Sequence, residues 1–253
     1  MIAGAPCGER QKLARAVVER AVVCGERLEP RAHFVVGCGV HEDEAGAHLS
    51  EVLQNLADAA IGRSIVGSVL LDTLFREPQP GWIENVPFAG WYGGAYTLAA
   101  RVAPRFVAVA APQAQALGDV VVSGTFRKVG GPPGGGYGFV LRDQEPAQRD
   151  GSNQSGHFYV VEVGDRGQIG MWRRDDTRWV DLVTWTDSPA VHPGYATNEL
   201  AVRAIGNQFT LLVNGREVLT QTDSTLAAGS VGIYVGGDNN EVAVDRFTVV
   251  TPL

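Results

Sequence analysis

The chain has 253 residues, 45% hydrophobic and 19% charged, with a formal net charge of -7. That is long enough for one large domain plus a small appendage. The excess of acid argues against a general nucleic-acid binder, which needs Lys and Arg to displace counterions from phosphates, and against electrostatic docking on an anionic membrane surface.

Residues 1–66 form a first zone. Leu13, Val17, Val18, Ala21 and Val22 fall at helical spacing. So do Leu49, Val52, Leu53, Leu56, Ala60 and Ile61, preceded by Glu42, Asp43 and Glu44, where negative charge favours a helix N-terminus. All three cysteines, Cys7, Cys24 and Cys38, lie here, and an odd N-terminal set is not a disulfide framework for the rest. No secretory leader is legible in the first residues. The most apolar stretch, 52–75, is interrupted by Asp58, Arg63 and Asp72, so no membrane span is expected. The compartment stays open.

The second zone, 67–253, reads as strands at 95–101, 106–110, 119–128, 137–142, 157–163, 168–174 and 179–185. A meander follows. Leu200, Val202 and Ala204 alternate with polar or small residues, as do Phe209, Leu211 and Val213. The pairs Gly206-Asn207 and Asn214-Gly215 supply the tight turns. Strands at 230–235 and 241–250 close the chain. In the last, Val242 and Val244 are one residue out of step with Phe247 and Val249, which predicts a bulge at Asp245-Arg246. Many short strands, 32 glycines and little helix imply an all-β antiparallel sandwich behind a small, mainly helical N-terminal segment.

Chemistry-bearing motifs are scarce. There is no Gly-x-Ser-x-Gly, and the glycine run 130–136 has no Lys-Ser/Thr, so it is a loop rather than a phosphate cradle. His33, His41, His48, His157 and His192 do not fall at metal-ligand spacings. No catalytic residue, metal or cofactor is therefore assigned. Asp238, Asn239, Asn240 and Glu241 could offer oxygens to calcium, but that composition reads first as a turn.

A binding face is easier to nominate. On the 168–174 strand Ile169 and Met171 share one side, and Trp172 and Arg174 the other. If the first pair faces the core, Trp172 and Arg174 face outward. At least two of Trp172, Trp179 and Trp185 are expected to be packing residues, with Trp179 and Trp185 filling the sandwich. Arg142, Tyr159 and Glu162 complete the candidate set, although an Arg and a Glu on adjacent strands equally suit a cross-strand ion pair.

The ordered set Gly81-Trp82, Tyr92-Gly93-Gly94-Ala95-Tyr96, Tyr137-Gly138, Asn198-Glu199-Leu200, Val213-Asn214-Gly215, Asp223, Gly229-Ser230-Val231-Gly232 and Val244-Asp245 resembles the concanavalin A-like lectin/glucanase jelly roll. The resemblance lies in the branch near laminin-G-like and 3-keto-disaccharide-hydrolase-like (DUF1080) domains. It covers about residues 70–251 and implies two curved antiparallel sheets packed face to face. Sugar hydrolases of this fold carry a Glu-x-Asp-x-x-Glu run; the nearest here, Glu241 to Asp245, lacks the second glutamate. The expectation is a non-catalytic module for carbohydrate or protein in a bacterial envelope-associated or secreted system, with a glycoside or keto-disaccharide hydrolase as the alternative. Separately, Cys24-Gly25, Leu28, Pro30, Ala32, Phe34 and Cys38-Gly39 resemble a zinc ribbon. Ala21 and Val35 stand where two of its four cysteines belong. That leaves a degenerate knuckle, two ordinary cysteines, or a site completed by Cys7, His33 or His41.

Overall fold

The computed structural model describes residues 67–101, 106–112, 115–146, 149–150 and 154–252. The expected helices and the zinc-ribbon-like stretch of residues 1–66 lie outside the described residues. The chain forms β1 (Val69–Leu74), β2 (Ala89–Tyr92), β3 (Ala95–Ala100), β4 (Phe106–Ala110), β5 (Val120–Gly130), β6 (Gly136–Asp143), β7 (Arg149–Asp150), β8 (His157–Gly164), β9 (Gln168–Asp175), β10 (Arg178–Asp187), β11 (Asn198–Ile205), β12 (Gln208–Val213), β13 (Arg216–Thr222), β14 (Ser230–Gly236) and β15 (Asn240–Val250). Among the described residues no helix is long and apolar enough to cross a membrane.

Two antiparallel sheets result. One has eight strands, in the order β13-β12-β11-β5-β15-β3-β2, with β1 also on β15. The other has seven, in the order β10-β9-β8-β6-β14-β4-β7. The expected bulge is real: the β15–β5 register shifts between Val244 and Arg246. It divides β15 into two halves, Asn240–Val244 pairing with β3 and Arg246–Val250 with β1. The Asn214-Gly215 turn has φ of 50° and 77°, the positive pair a tight hairpin needs.

Alternation decides which face is buried. Val120, Val122 and Phe126 of β5, with Val242, Val244, Phe247 and Val249 of β15, point from the eight-stranded sheet to the other. Tyr137, Phe139 and Leu141 of β6, with Tyr159, Val161 and Val163 of β8, answer them. Rings meet across the interface: Phe126–Phe139 at 5.3 Å, Phe139–Phe247 at 6.0 Å and Tyr159–Phe209 at 4.6 Å. Such aromatic pairs add roughly 0.5–1.5 kcal/mol each beyond their buried area.

Side-chain hubs fix the loops. The Asn198 amide donates to the Tyr137 hydroxyl and the His192 carbonyl, and its carbonyl accepts from the His192 backbone N–H and from Asn214, at 2.8 Å each. Lys128 and Asp165 form a buried ion pair at 2.5 Å. Lys128 also reaches the Pro132 carbonyl, and Asp165 accepts from the Gly134 N–H. Together they tie down the glycine-rich loop as an internal clamp.

Candidate functional site

The outer face of the seven-stranded sheet is not a plain solvated surface. Cross-strand partners share a face, so the register places Glu162 of β8 between Gly138 of β6 and Gly170 of β9, with Tyr234 of β14 opposite Gly138. One step along lie Val140, Val160 and Trp172, and beyond them Phe158, Arg174 and Trp179. Phe106, Ala108, Val140, Phe158, Val160 and Tyr234 form a second buried cluster here.

That burial requires curvature. Phe106 on β4 and Trp179 on β10 belong to strands five steps apart, about 24 Å on a flat sheet at ~4.8 Å per strand. Their ring centroids are 5.6 Å apart. Trp179 also meets Phe158 at 6.0 Å and Tyr234 at 6.3 Å. The sheet is therefore curled, its outer face concave and closed at this corner. Arg174 seals the closure. Its guanidinium lies 4.7 Å from the Trp179 ring centroid and 5.9 Å from that of Phe106, and it donates to the Gln154 carbonyl at 3.1 and 2.8 Å.

Glycines set the shape of the rest. A Cβ on Gly170 would collide with the Trp172 ring, and one on Gly236 with the Tyr234 phenol. A Cβ on Gly136 would meet both the Glu162 carboxyl and the Trp185 ring, and one on Gly164 would crowd the same indole. The rings thus lie down on bare backbone. Trp172 and Trp185 form an edge-to-face pair at 4.8 Å. Glu162 projects into the same space as Trp185.

Glu162 is the electrostatic anomaly of this face. It is 6% exposed, and its Oε2 is buried without a hydrogen-bond partner. Burial alone pushes its carboxyl up from 4.5 to about 8, because no neighbouring cation offsets the lost hydration. Tyr234 is held far above the usual phenol range, first by burial and then by the nearby Glu162 charge.

Of the five sequence-nominated residues, the structure brings together Trp172, Arg174 and Glu162 on the concave face. Trp172 and Glu162 lie beside Trp185 over the glycine floor, while Arg174 belongs to the closed corner. Arg142 and Tyr159 lie elsewhere. Arg142 is 1% exposed, at φ 52°, and donates to the carbonyls of Leu226, Gly118 and Gly206 while its guanidinium stacks 4.9 Å from the Phe209 ring centroid. It does not pair with Glu162. The Tyr159 hydroxyl donates to Asp223 at 2.5 Å and accepts from the Leu226 N–H at 3.0 Å, and Asp223 also holds Arg173. Both are struts between the sheets and the 223–226 loop.

Trp179 and Trp185 do not fill the sandwich. They lie on the concave face, 37% and 41% exposed. β10 is bulged between Asp181 and Val183 and again between Val183 and Thr186, which shifts which residues face out. Tyr234 and the Gly136, Gly138, Gly164 and Gly170 floor went unnominated, although glycines at period two on a strand signal close approach of another group.

On the outer face of the other sheet, Glu241 is paired with Arg101, and Asp245 lies 3.8 Å from Arg127. These two carboxylates face different arginines rather than forming an acid–nucleophile couple. Asn240, considered for calcium, is turned inward, donating to the Gly136 and Gly236 carbonyls.

No family model and no curated protein matches the chain. Among solved structures it is similar to the CBM66 carbohydrate binding module from Bacillus subtilis, at 13% identity over 74% of this chain and 97% of that one, TM-score 0.50. It is also similar to a Bacillus subtilis protein of unknown function with a galectin-like fold, at 12% identity over 74% and 98%, TM-score 0.52. A β-glucanase from Bacillus licheniformis is a weaker likeness, at 11% identity over 73% and 99%, TM-score 0.46. At these identities the likeness is one of fold: the described residues form a galectin-like, concanavalin A-like jelly roll.

Proposed function

We propose that this chain is a carbohydrate-binding module whose ligand lies in the open part of the concave face, stacked on Trp172 and Trp185 with Glu162 as its polar contact. One observation carries the reading: a buried carboxyl without a protein partner lies beside an exposed tryptophan, Trp185, over the bare backbone of Gly136. Unpaired buried polar groups are costly and are retained where a ligand completes them. Apolar walls with a few convergent polar groups are the usual make-up of a small-molecule site. The likeness in fold to the CBM66 carbohydrate binding module supports the same direction. An accessory role in an envelope-associated or secreted bacterial system fits such a module.

The test is a glycan array with the full chain and its Trp172→Ala variant. Binding by the intact chain that the variant loses supports the reading; silence of the intact chain across all sugars overturns it.

A hydrolase is the second reading, favoured by the Glu162 carboxyl raised to about 8, the property of a general acid. It needs a second carboxylate across the scissile bond. Register puts Asp181 on the same face, opposite Trp172 and two strands from Glu162. Release of reducing ends from a bound oligosaccharide, abolished in Glu162→Gln, would select this reading over simple binding.

A further inference from the structure

We propose that this site selects a saccharide bearing a protonated amine, an amino sugar whose ammonium sits against the Glu162 carboxylate beside the Trp172 and Trp185 rings. The proposal rests on the carbohydrate reading and adds the charge of the ligand.

A buried carboxyl with no protein donor can be satisfied in two ways: it keeps a proton, or a ligand brings a cation. Among the described residues no cation pairs with it. Gly138 and Gly170 flank Glu162 in the sheet, and Gly136 lies beneath its carboxyl. Among the described residues, the titratable and charged groups on its face are Tyr234 from β14, Asp181 and Asp187 from β10 and Arg174 from β9. Arg174 is spent on the Gln154 carbonyl and on the rings of Phe106 and Trp179. Tyr234, Asp181 and Asp187 bring no positive charge.

The walls suit a cation as well. Trp172 and Trp185 meet edge to face at 4.8 Å beside Glu162, and indole faces attract ammonium groups more strongly than other side-chain rings. A neutral sugar would instead ask for several hydrogen-bonding side chains to match its hydroxyls. Among the described residues, those in register on this part of the face are Glu162, Tyr234, Gln168, Asp181 and Asp187, and the Gln168 amide already donates to Asp187 at 3.1 Å. The chain's net charge of -7 further concentrates cations near it. An anionic sugar would leave Glu162 protonated and, among the described residues, finds on this face only Arg174, already committed to the Gln154 carbonyl and two rings.

The experiment titrates the full chain by calorimetry with three tetrasaccharides: the glucosamine tetramer, the N-acetylglucosamine tetramer and cellotetraose. At pH 5 the sugar amines and Glu162 both start protonated. The glucosamine tetramer is expected to bind at least ~10-fold tighter than either neutral ligand, to release close to one proton as Glu162 ionises against it, and to lose its advantage in Glu162→Gln. Equal or tighter binding of a neutral tetramer overturns the proposal and leaves the carbohydrate reading standing. An amine preference that survives Glu162→Gln also overturns it, since net charge alone then explains the preference. Should that variant not fold, the proton count on the wild-type chain decides: none released overturns the proposal. Absence of binding by all three, with no sugar retained on the array, overturns both readings.

Discussion

The indole of Trp172 lies over Gly170, two residues back on the same strand and the same face, in the volume a Cβ would occupy. The flat lie of the ring therefore depends on a missing side chain. Gly170→Ala is expected to lift the indole off the sheet, costing about 1–3 kcal/mol of stability as overpacking does. Near-UV circular dichroism should change and glycan affinity should drop while far-UV dichroism holds. An unchanged near-UV spectrum would show that the ring does not rest on Gly170.

Arg142 is expected to matter for stability and not for ligand. Arg142→Met leaves the Leu226, Gly118 and Gly206 carbonyls without their shared donor, which should cost about 3–5 kcal/mol in urea unfolding. Tyr159→Phe loses the Asp223 and Leu226 hydrogen bonds and should cost about 1–2 kcal/mol. Glycan affinity of either folded variant should match wild type; a selective loss of affinity would return them to the site.

Glu162 ties stability to pH with a definite sign. Its carboxyl titrates at about 8 when folded against an ordinary 4.5, so between those values the folded chain holds a proton that the unfolded chain has released. Stability from this group is complete below 4.5 and is lost as pH rises towards 8, by on the order of a few kcal/mol. Glu162→Gln should flatten that decline. Thermal midpoints of the two proteins measured from pH 5 to 8.5 check this; parallel curves would mean that the carboxyl is hydrated in the folded state.

Lys128 and Asp165 are each 3% exposed. Lys128→Met strands a buried carboxylate and should cost about 3–5 kcal/mol, whereas the double change Lys128→Met with Asp165→Leu should recover much of it. A urea-unfolding double-mutant cycle measures the coupling. Additive costs would show the pair to be wet.

The sandwich was legible because alternation is local. Leu200, Val202 and Ala204, or Ile169 and Met171 against Trp172 and Arg174, declare their faces one strand at a time. β1 was hidden because Val69–Leu74 runs on from an apolar stretch with helical spacing, and β2, Ala-Gly-Trp-Tyr, is too short to show a period. The site was only half legible. Period two sorts residues between faces but says nothing of curl, so Trp179 and Trp185 were assigned to the interior. Arg142 and Tyr159 looked polar and available. Their partners are backbone carbonyls, an amide and a loop aspartate 24 to 84 residues away, contacts no strand pattern announces.

The curl that carries Phe106 to Trp179 also makes the trough directional. One corner is plugged by aromatic rings and Arg174, while the Glu162 carboxyl and the Trp185 ring lie above Gly136 and Gly164 at the other end. A trough stopped at one corner favours the tip of a polymer over its middle. If the proposed saccharide lies there, occupancy on a polysaccharide should climb as that polymer is cut into shorter pieces.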